Sequence, residues 1–318
     1  MKLFFIFPWP RQKSKVNHPE QIASGGCWSL IHSFRLLGHE VYPINLYDEK
    51  DQINENDARV AYQFLLDQIN PDFVLVFDTG RAKIPWKAIA DAKNLKNPIK
   101  FVYHAGDDPM RHDANIEAIR KGNFDIVFAA QRPFLKAYRD CLPHIFVDWI
   151  PYHHDGLLHY PEPTQERYDI VHIGKIYGLR QKLLKGFSDN GISLNIGNGF
   201  GHLYRAGIAS ARIGWHQAWC GEVGYRHFEW PAMGKMLLCD ELEPEYGLGE
   251  LLPVGSYVTY NGKNEEEKVA DAIEKVKYYK EHESERKSIA INGCEHAIKY
   301  HGPLNRAEAM ITFMAQVS

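Results

Sequence analysis

The sequence predicts an α/β protein built from two doubly wound halves, each with a mostly parallel sheet between helices. Short apolar runs alternate with longer segments of helical period along almost the whole chain. A stretch with three prolines and no helical period interrupts this alternation at residues 151–168, and the alternation then restarts. The length of 318 residues suits two domains of ordinary size. We therefore expect domains at residues 1–152 and 153–302.

The first half contains apolar runs that we interpret as strands, namely KLFFIF, HEVYPINL, DFVLVF, IKFVYH, DIVFAA and HIFVDWI. Helical segments lie between several of them, such as CWSLIHSFRLLG, ARVAYQFLLDQI and RPFLKAYRDCL. The opening run is too short for the apolar core of a signal peptide, and Pro8 and Pro10 follow it. We expect it to form a buried first strand.

The second half repeats the pattern, with strands predicted at YDIVHIG, SLNIG, RIGWH, KMLLCD and SYVTY. A helix is predicted near LRQKLLKGF and another over HFEWPAMG, and three long helical segments close the chain. Two doubly wound domains would face each other across a cleft, and ligands of such sheets bind at the carboxyl ends of the strands.

Composition restricts the function classes. The formal net charge is −3, so no general basic field attracts nucleic acid. The five cysteines are scattered without a CxxC pair, which argues for a reducing compartment and against a disulfide framework or a zinc site. No apolar run approaches the length of a membrane helix. These observations predict a cytoplasmic protein.

Glycine-bearing turns follow a strand in each half. Gly25 and Gly26 open the first helix, where backbone amides can hold a phosphate, or the glycines can serve tight packing alone. In HIGKIYGLR, Gly174, Lys175 and Arg180 lie between a strand and its helix. The two cations can neutralise a diphosphate there, or they can be solvated surface charges.

The segment GYRHFEWPAMGKMLLCD places charged groups beside an apolar helix face. Proline is tolerated in the first turn of a helix, so Pro231 predicts a helix start near residue 229. That start puts Arg226 and Glu229 at the mouth of the cleft. Glu229 can act as a capping charge, or it can accept both hydroxyls of a ribose while Arg226 holds a phosphate.

The block GWHQAWCGEVGYRHFEWPAMGKMLLCD resembles the donor-binding segment of GT-B glycosyltransferases. It is closest to the CgeB-like branch of the group 1 transferases, and Gly224 replaces the asparagine of that pattern. The resemblance covers residues 169–318 well and the first half more loosely. The positions on the pattern are Arg226, Phe228, Glu229, Ala232, Gly234, Leu237 and Asp240.

The resemblance implies a GT-B fold and a hexosyltransferase-like enzyme that uses a nucleotide-diphosphate sugar, such as a UDP-sugar, without cofactor or required metal. Glu229 would hold the donor ribose, and Arg226 with Lys175 or Arg180 would hold the diphosphate, approached also by Gly25 and Gly26. Related enzymes often carry a second glutamate upstream, where this chain has Gly221, with Glu222 one residue away. The helix at residues 303–318 would cross back onto the first domain.

Catalytic candidates come from the first half. His104 ends a strand and Asp107 follows it. The resemblance to GT-B enzymes implies that this strand end meets the transferred sugar or the acceptor, or the two residues can be a satisfied strand-end histidine and a turn residue. His18 lies in the loop after the first strand, from which a general base can reach an acceptor hydroxyl. His153, His154 and Asp155 lack a second ligand pair, so no metal site is predicted.

The predicted function is transfer of a sugar from a nucleotide-diphosphate donor to an acceptor hydroxyl. A non-catalytic nucleotide-sugar-binding protein and a GT-B-fold nucleotide-sugar epimerase are the alternatives. The acceptor stays open among polysaccharide, protein, small molecule and modified DNA base.

Overall fold

The computed structural model describes residues 1–7, 26–45, 55–78, 86–95, 99–199 and 201–317. Contacts divide these residues into two compact units. The first contains residues 1–7, 27–151 and 304–317, and the second contains residues 152–303 together with Gly26. The division into domains at residues 1–152 and 153–302, followed by a helix at residues 303–318, stays a prediction.

The sheet of the first unit has six parallel strands in the order β2-β1-β3-β4-β5-β6. They are β1 (Lys2–Phe7), β2 (Glu40–Asn45), β3 (Phe73–Asp78), β4 (Lys100–Ala105), β5 (Ile126–Ala129) and β6 (Phe146–Trp149). The helices described between them are α1 (Cys27–Leu36), α2 (Glu55–Ile69), α3 (Trp86–Leu95), α4 (His112–Gly122) and α5 (Leu135–Arg139). A short 3-10 turn at Arg132–Phe134 leads into α5.

Both faces of the first sheet are buried, because successive side chains of a strand point to opposite faces. On β1, Phe4 and Ile6 belong to one apolar core, and Leu3, Phe5 and Phe7 belong to the other. A strand of this sheet therefore needs apolar side chains on both faces, as the continuous run KLFFIF provides. In a strand with one face in water, every second side chain of this run would be exposed.

The second unit contains a sheet of five parallel strands in the order β11-β10-β9-β7-β8. Its strands are β7 (Tyr168–Ile173), β8 (Leu194–Gly197), β9 (Ala211–His216), β10 (Met236–Asp240) and β11 (Tyr257–Tyr260). Its helices are α6 (Leu179–Asp189), α7 (Gly201–Ala209), α8 (Arg226–Ala232), α9 (Leu248–Leu251), α10 (Glu265–Glu281) and α11 (Glu283–Tyr300), with a 3-10 turn at Pro244–Tyr246.

The core of the second unit collects the central strands against α6, α10 and α11. Ile170, Ile213 and Leu238 come from three adjacent strands and pack with Phe187 of α6 and Val276 of α10. The two sheets with their helices confirm the predicted α/β class. No helix in the described part of the chain is long and apolar enough to cross a bilayer.

The last helix, α12 (Pro303–Gln316), packs with the first unit from Leu304 onward. Ala307, Met310 and Met314 lie in the same apolar core as Phe5 of β1. Arg306 is buried and donates its Nε hydrogen to the carbonyl of Pro151 at 2.8 Å.

The predicted start of α8 near residue 229 is wrong. The helix begins at Arg226, because the Tyr225 carbonyl already accepts from the amides of Phe228 at 2.9 Å and Glu229 at 3.0 Å. Pro231 lies in the second turn, where its missing N–H removes one helical hydrogen bond. The helix ends one residue later, at Ala232.

Candidate active site

Arg226 lies across the carboxyl end of β7. Its Nη2 donates to the carbonyl of Ile173 at 2.5 Å, and Gly174 is the next residue, with a φ of 132°. A Cβ atom added to Gly174 would approach Nη2 to 2.7 Å, which is closer than van der Waals contact allows. Gly174 thus provides both the backbone conformation and the space that bring the guanidinium to this strand end.

Arg180, near the start of α6, ties two loops at the same sheet edge. Its Nε and Nη2 donate to the carbonyl of Gln217 at 3.0 and 2.6 Å, and its Nη1 donates to the carbonyl of Lys175 at 3.3 Å. Its guanidinium also lies 4.8 Å from the centre of the Tyr177 ring. Burial and the nearby charge of Arg226 lower the pKa of Arg180. Arg180 therefore supplies positive charge, while several of its donors hold the protein backbone.

Glu229 is held by a helix that the sequence analysis did not find. The hydroxyl of Tyr204, on α7, donates to Glu229 Oε2 at 2.7 Å. Glu229 Oε1 lies 3.9 Å from His159 Nε2, beyond hydrogen-bond distance. The Asp155 amide donates to His159 Nδ1 at 2.9 Å, so a neutral His159 carries its proton on Nε2, the side of Glu229. Burial and the Glu229 charge raise the pKa of Tyr204 well above its usual value, so the hydroxyl keeps its proton.

Two carboxylates shape the loop between β9 and α8. Asp240, at the end of β10, accepts from the amide of Ala218 at 2.8 Å, and burial raises its pKa to about 6. Glu222 accepts from the amide of Cys220 at 2.7 Å, and burial raises its pKa as well. Glu222, the glutamate displaced by one residue from the family's upstream position, is therefore turned back onto its own loop.

The structure brings Gly174, Lys175, Arg180, Arg226 and Glu229 together in the second unit, at the carboxyl ends of β7 and β9. Lys175 is exposed, and its carbonyl is fixed by Arg180. Gly26 also belongs to this unit, and a Cβ added to it would lie 2.8 Å from His153 Cε1. His18 and Gly25 lie outside the described residues.

The first-unit candidates lie at the end of β4. His104 is buried and stacks on Phe77 at a centroid distance of 4.0 Å, and burial lowers its pKa to about 3. Asp107 is exposed, whereas Asp108 is buried. The Asp108 carboxylate accepts from the Tyr138 hydroxyl at 2.7 Å and from Asn115 Nδ2 at 3.2 Å. Asp108 thus secures the loop that presents Asp107.

Within the described ranges, no group of three or more histidine, cysteine, aspartate or glutamate side chains is placed to hold a metal ion. His153, His154 and Asp155 are buried. His153 Nδ1 lies 2.8 Å from the carbonyl of His154.

Comparisons with known proteins give a family for most of the second unit and solved structures with the same fold. Residues 165–312 match the family model described as glycosyl transferase-like. Two solved structures share the fold, and each comparison covers 99% of this chain and 98% of the other. They are sucrose-phosphate synthase from Thermosynechococcus elongatus, with 11% identity and a TM-score of 0.64, and a glycosyltransferase from Rickettsia africae ESF-5, with 12% identity and a TM-score of 0.63. The chain has the GT-B fold, and residues 165–312 match a glycosyl transferase-like family.

A third structure with the same fold is the pneumococcal O-GlcNAc transferase GtfA in complex with UDP and GlcNAc. It is 9% identical, with a TM-score of 0.53 over 80% of this chain and 59% of that chain. No curated protein matches the sequence. The CgeB-like subtype stays a prediction from the sequence segment at residues 214–240.

Two residues of the site were missed by the sequence analysis. Tyr204 and His159 both face Glu229, yet they lie 25 and 70 positions before it in the chain. Neither belongs to a spaced motif, so only the packing of α7 and of the segment before β7 reveals them.

Proposed function

We propose that this protein is a glycosyltransferase that takes a nucleotide-diphosphate sugar as its donor and binds the nucleotide in its second unit. The observation that supports this most is the pairing of Arg226 and Glu229 on one turn of α8. Arg226 offers a positive charge at the end of β7, and Glu229 offers carboxylate oxygens three residues away. A nucleoside diphosphate carries the complementary groups, since its phosphates are anionic and its ribose has two hydroxyl donors.

The two side chains have distinct roles in this proposal. Arg226, aided by the charges of Lys175 and Arg180, binds the diphosphate and stabilises it as it leaves. Glu229 accepts the ribose hydroxyls. Its Oε1 lies 3.9 Å from His159 Nε2, which is too far for a hydrogen bond between these two atoms. Tyr204 fixes the orientation of the carboxylate by its bond to Oε2. The solved relative with UDP and GlcNAc makes a UDP-sugar the first donor to test.

In the reaction, the bond between the anomeric carbon and the diphosphate oxygen breaks, and the acceptor oxygen forms the new bond to that carbon. The electron pair of the broken bond stays on the diphosphate, where positive charge stabilises it. The acceptor hydroxyl must also lose its proton to a base. His18, His104 and Asp107 stay predictions for groups that contact the acceptor or the transferred sugar.

The direct test combines a panel of nucleoside diphosphates with the variants Arg226→Ala and Glu229→Gln. A diphosphate at 100 times its Kd should stabilise the wild type by about 2.7 kcal/mol, measured as a rise in melting temperature. Loss of a charge-assisted contact costs about 1.5–3 kcal/mol, so each variant should bind about tenfold to a hundredfold more weakly. Glu285→Gln, which alters a glutamate bonded to Tyr278 on α10, is the matched control.

A donor with 2′-deoxyribose identifies the group that Glu229 holds. It should bind the wild type more weakly than the ribose form. Glu229→Gln should bind both forms alike, because the 2′-hydroxyl and the Glu229 carboxylate contact each other and the loss of either one removes the same contact. Equal binding of both donors to the wild type would remove Glu229 from the ribose site. Incubation with a UDP-sugar separates the predicted alternatives, since a transferase releases UDP, whereas an epimerase returns an isomeric UDP-sugar.

A further inference from the structure

His159 Nε2 and Glu229 Oε1 face each other across a gap of 3.9 Å, and their side chains are 8% and 16% exposed. The gap is wider than one hydrogen bond, which spans about 2.8 Å, and narrower than two such bonds end to end. In the described ranges, the polar atoms that are both unpaired and closed off from solvent do not include either atom. Neither atom has a hydrogen-bond partner there, so one ligand atom in the gap can bond to both.

The backbone next to His159 fixes the ring and the place of its proton. The Asp155 amide donates to His159 Nδ1 at 2.9 Å, and the His159 amide donates to the Asp155 carbonyl at 2.7 Å. A backbone N–H can only donate, so Nδ1 is the unprotonated nitrogen of the ring. An imidazolium would place two hydrogens against each other at this contact. His159 is therefore neutral and presents its Nε2–H to Glu229.

Tyr204 fixes the other side of the gap. Its hydroxyl donates to Glu229 Oε2 at 2.7 Å, and its ring lies beside the imidazole of His159, with a centroid distance of 5.8 Å. Oε2 thus already has a donor, whereas Oε1 is left for a ligand. The acceptor Oε1 and the donor Nε2–H keep a set separation, because each side chain is held through its other polar atom.

The two atoms select a hydroxyl group by their hydrogen-bonding character. An ionised carboxylate only accepts hydrogen bonds, and the Nε2–H of a neutral imidazole only donates. A ligand atom between them must therefore donate to Glu229 and accept from His159. A hydroxyl oxygen does both, whereas a carbonyl or ionised phosphate oxygen has no hydrogen to donate and an ammonium group has no lone pair to accept with.

We propose that His159 is a ribose-contacting residue, whose Nε2–H donates to the oxygen of a ribose hydroxyl while that hydroxyl donates its hydrogen to Glu229 Oε1. This inference rests on the proposed nucleotide donor. It makes the segment before β7 part of the nucleotide site. It also adds a second contact to one hydroxyl, so ribonucleotides should be preferred to deoxyribonucleotides more strongly than through Glu229 alone.

The test compares nucleotides that differ by one hydroxyl. UDP, 2′-deoxy-UDP and 3′-deoxy-UDP are titrated calorimetrically into the wild type and into His159→Asn. The asparagine oxygen can still accept from the Asp155 amide, as Nδ1 does, but the shorter side chain has no donor at the place of Nε2. GDP and its two deoxy forms replace the uridine nucleotides if UDP does not bind.

His159→Asn should bind UDP about fivefold more weakly, the effect of losing one hydrogen bond from a neutral donor. Its affinity for the analogue without the bridging hydroxyl should stay within about twofold of the wild-type value, because that contact is already absent. The other analogue should lose as much affinity as UDP does. The pair of analogues thereby identifies whether the 2′- or the 3′-hydroxyl occupies the gap.

His282→Asn is the matched control. His282 is exposed between α10 and α11, where its Nδ1 lies 2.8 Å from the Tyr278 carbonyl. This variant makes the same exchange of side chains outside the proposed site, and it should bind all three nucleotides like the wild type. Melting temperatures of the unliganded variants show whether each is folded.

A crystal structure of the wild type with UDP, or with GDP if UDP does not bind, decides the question without any variant. His159 Nε2 should lie within about 3.2 Å of one ribose hydroxyl oxygen, and Glu229 Oε1 should lie within hydrogen-bond distance of the same oxygen. This measurement also decides if His159→Asn does not fold.

The outcomes separate the two proposals. If neither UDP nor GDP binds the wild type, the nucleotide donor and this inference both fall. If a diphosphate binds and His159→Asn weakens all three nucleotides equally, or weakens none, only the inference falls, since a purely structural histidine does not distinguish the hydroxyls. The same holds if both hydroxyls of the bound ribose lie more than about 3.5 Å from Nε2, or if a water molecule occupies the gap.

Discussion

The two carboxylate oxygens of Glu229 have different surroundings, because only Oε2 accepts a hydrogen bond from the Tyr204 hydroxyl. Removal of that hydroxyl tests whether it positions the carboxylate. Tyr204→Phe keeps the ring but removes the 2.7 Å bond to Oε2. The carboxylate is then free to rotate, so we expect the affinity for UDP to fall by roughly tenfold, since a hydrogen bond to a charged group contributes about 1.5–3 kcal/mol. Calorimetric titration measures the change.

A matched control for that variant lies far from the site along the chain. Tyr278→Phe removes the 2.9 Å bond from a tyrosine hydroxyl to Glu285 Oε2 at the surface. It should leave UDP affinity unchanged. If both variants lose affinity equally, or neither does, Tyr204 has no positioning role.

Gly174 is the second residue whose replacement has a defined geometric consequence. Gly174→Ala places a methyl group 2.7 Å from Arg226 Nη2 and imposes a φ of 132° on alanine. We expect Arg226 to be displaced and UDP affinity to fall about tenfold to a hundredfold, the effect of losing one charge-assisted contact. Gly197→Ala, at the end of the adjacent β8, should bind UDP normally. Normal binding by Gly174→Ala would show that the position of Arg226 is unimportant.

At the scale of the element, the strands were predictable and one functional helix was not. Runs such as KLFFIF and KMLLCD are apolar on both faces, and only a strand buried on both sides accommodates them. In contrast, α7 contains Gly201 and Gly207, which weaken helix propensity, so its sequence has no clear helical signal. Packing of Ile208 and Ala209 into the unit forms this helix, and the role of Tyr204 remained hidden with it.

The closing helix α12 provides a prediction about stability. Met310 is 1% exposed and lies in the core that also contains Phe5 and Leu30. Met310→Ala should lower the free energy of unfolding by about 2–5 kcal/mol, because a buried cavity remains where the thioether was. Thr312→Ala, at an exposed position of the same helix, should change it by less than about 0.5 kcal/mol. Chemical denaturation measures both, and equal values would show that α12 is not part of the core.

At the scale of the molecule, the sequence predicted the side chains that lie near one another in the chain and missed those that only the fold brings together. Arg226 and Glu229 share one turn, and Gly174 follows a predicted strand, so spacing alone was informative. The orientation of Arg180 depends on the Gln217 carbonyl, 37 positions away, and the contact of His159 with Glu229 spans 70 positions. Residue spacing along the sequence cannot predict contacts between positions so far apart in the chain.

The last prediction concerns the whole chain, because buried neutral histidines occur in both units. Burial lowers the pKa of His104 to about 3, of His172 to about 4 and of His227 to about 4, and it lowers that of His216 as well. The unfolded chain binds these protons near pH 6.5, so stability is complete above that pH and is lost as the pH falls toward the folded values. Protonation of the unfolded chain at His104, His172 and His227 therefore removes about 2 kcal/mol for each of them between pH 6.5 and pH 5.

Four carboxyls of the described residues act in the opposite direction, because burial raises the pKa of Asp108, Asp155, Glu222 and Asp240. Burial raises the pKa of Asp240 to about 6, so its folded form binds a proton first and gains stability as the pH falls from about 6 toward 3.8. The histidines of the unfolded chain bind protons from about pH 6.5, which is above the folded pKa of Asp240, so we expect the melting temperature to fall between pH 7 and pH 5.5. His227→Asn keeps an acceptor for the Gly224 amide, now 3.0 Å from Nδ1, and cannot titrate. Its melting temperature should therefore depend less on pH than that of the wild type, and an unchanged slope would show that His227 does not titrate between the two states.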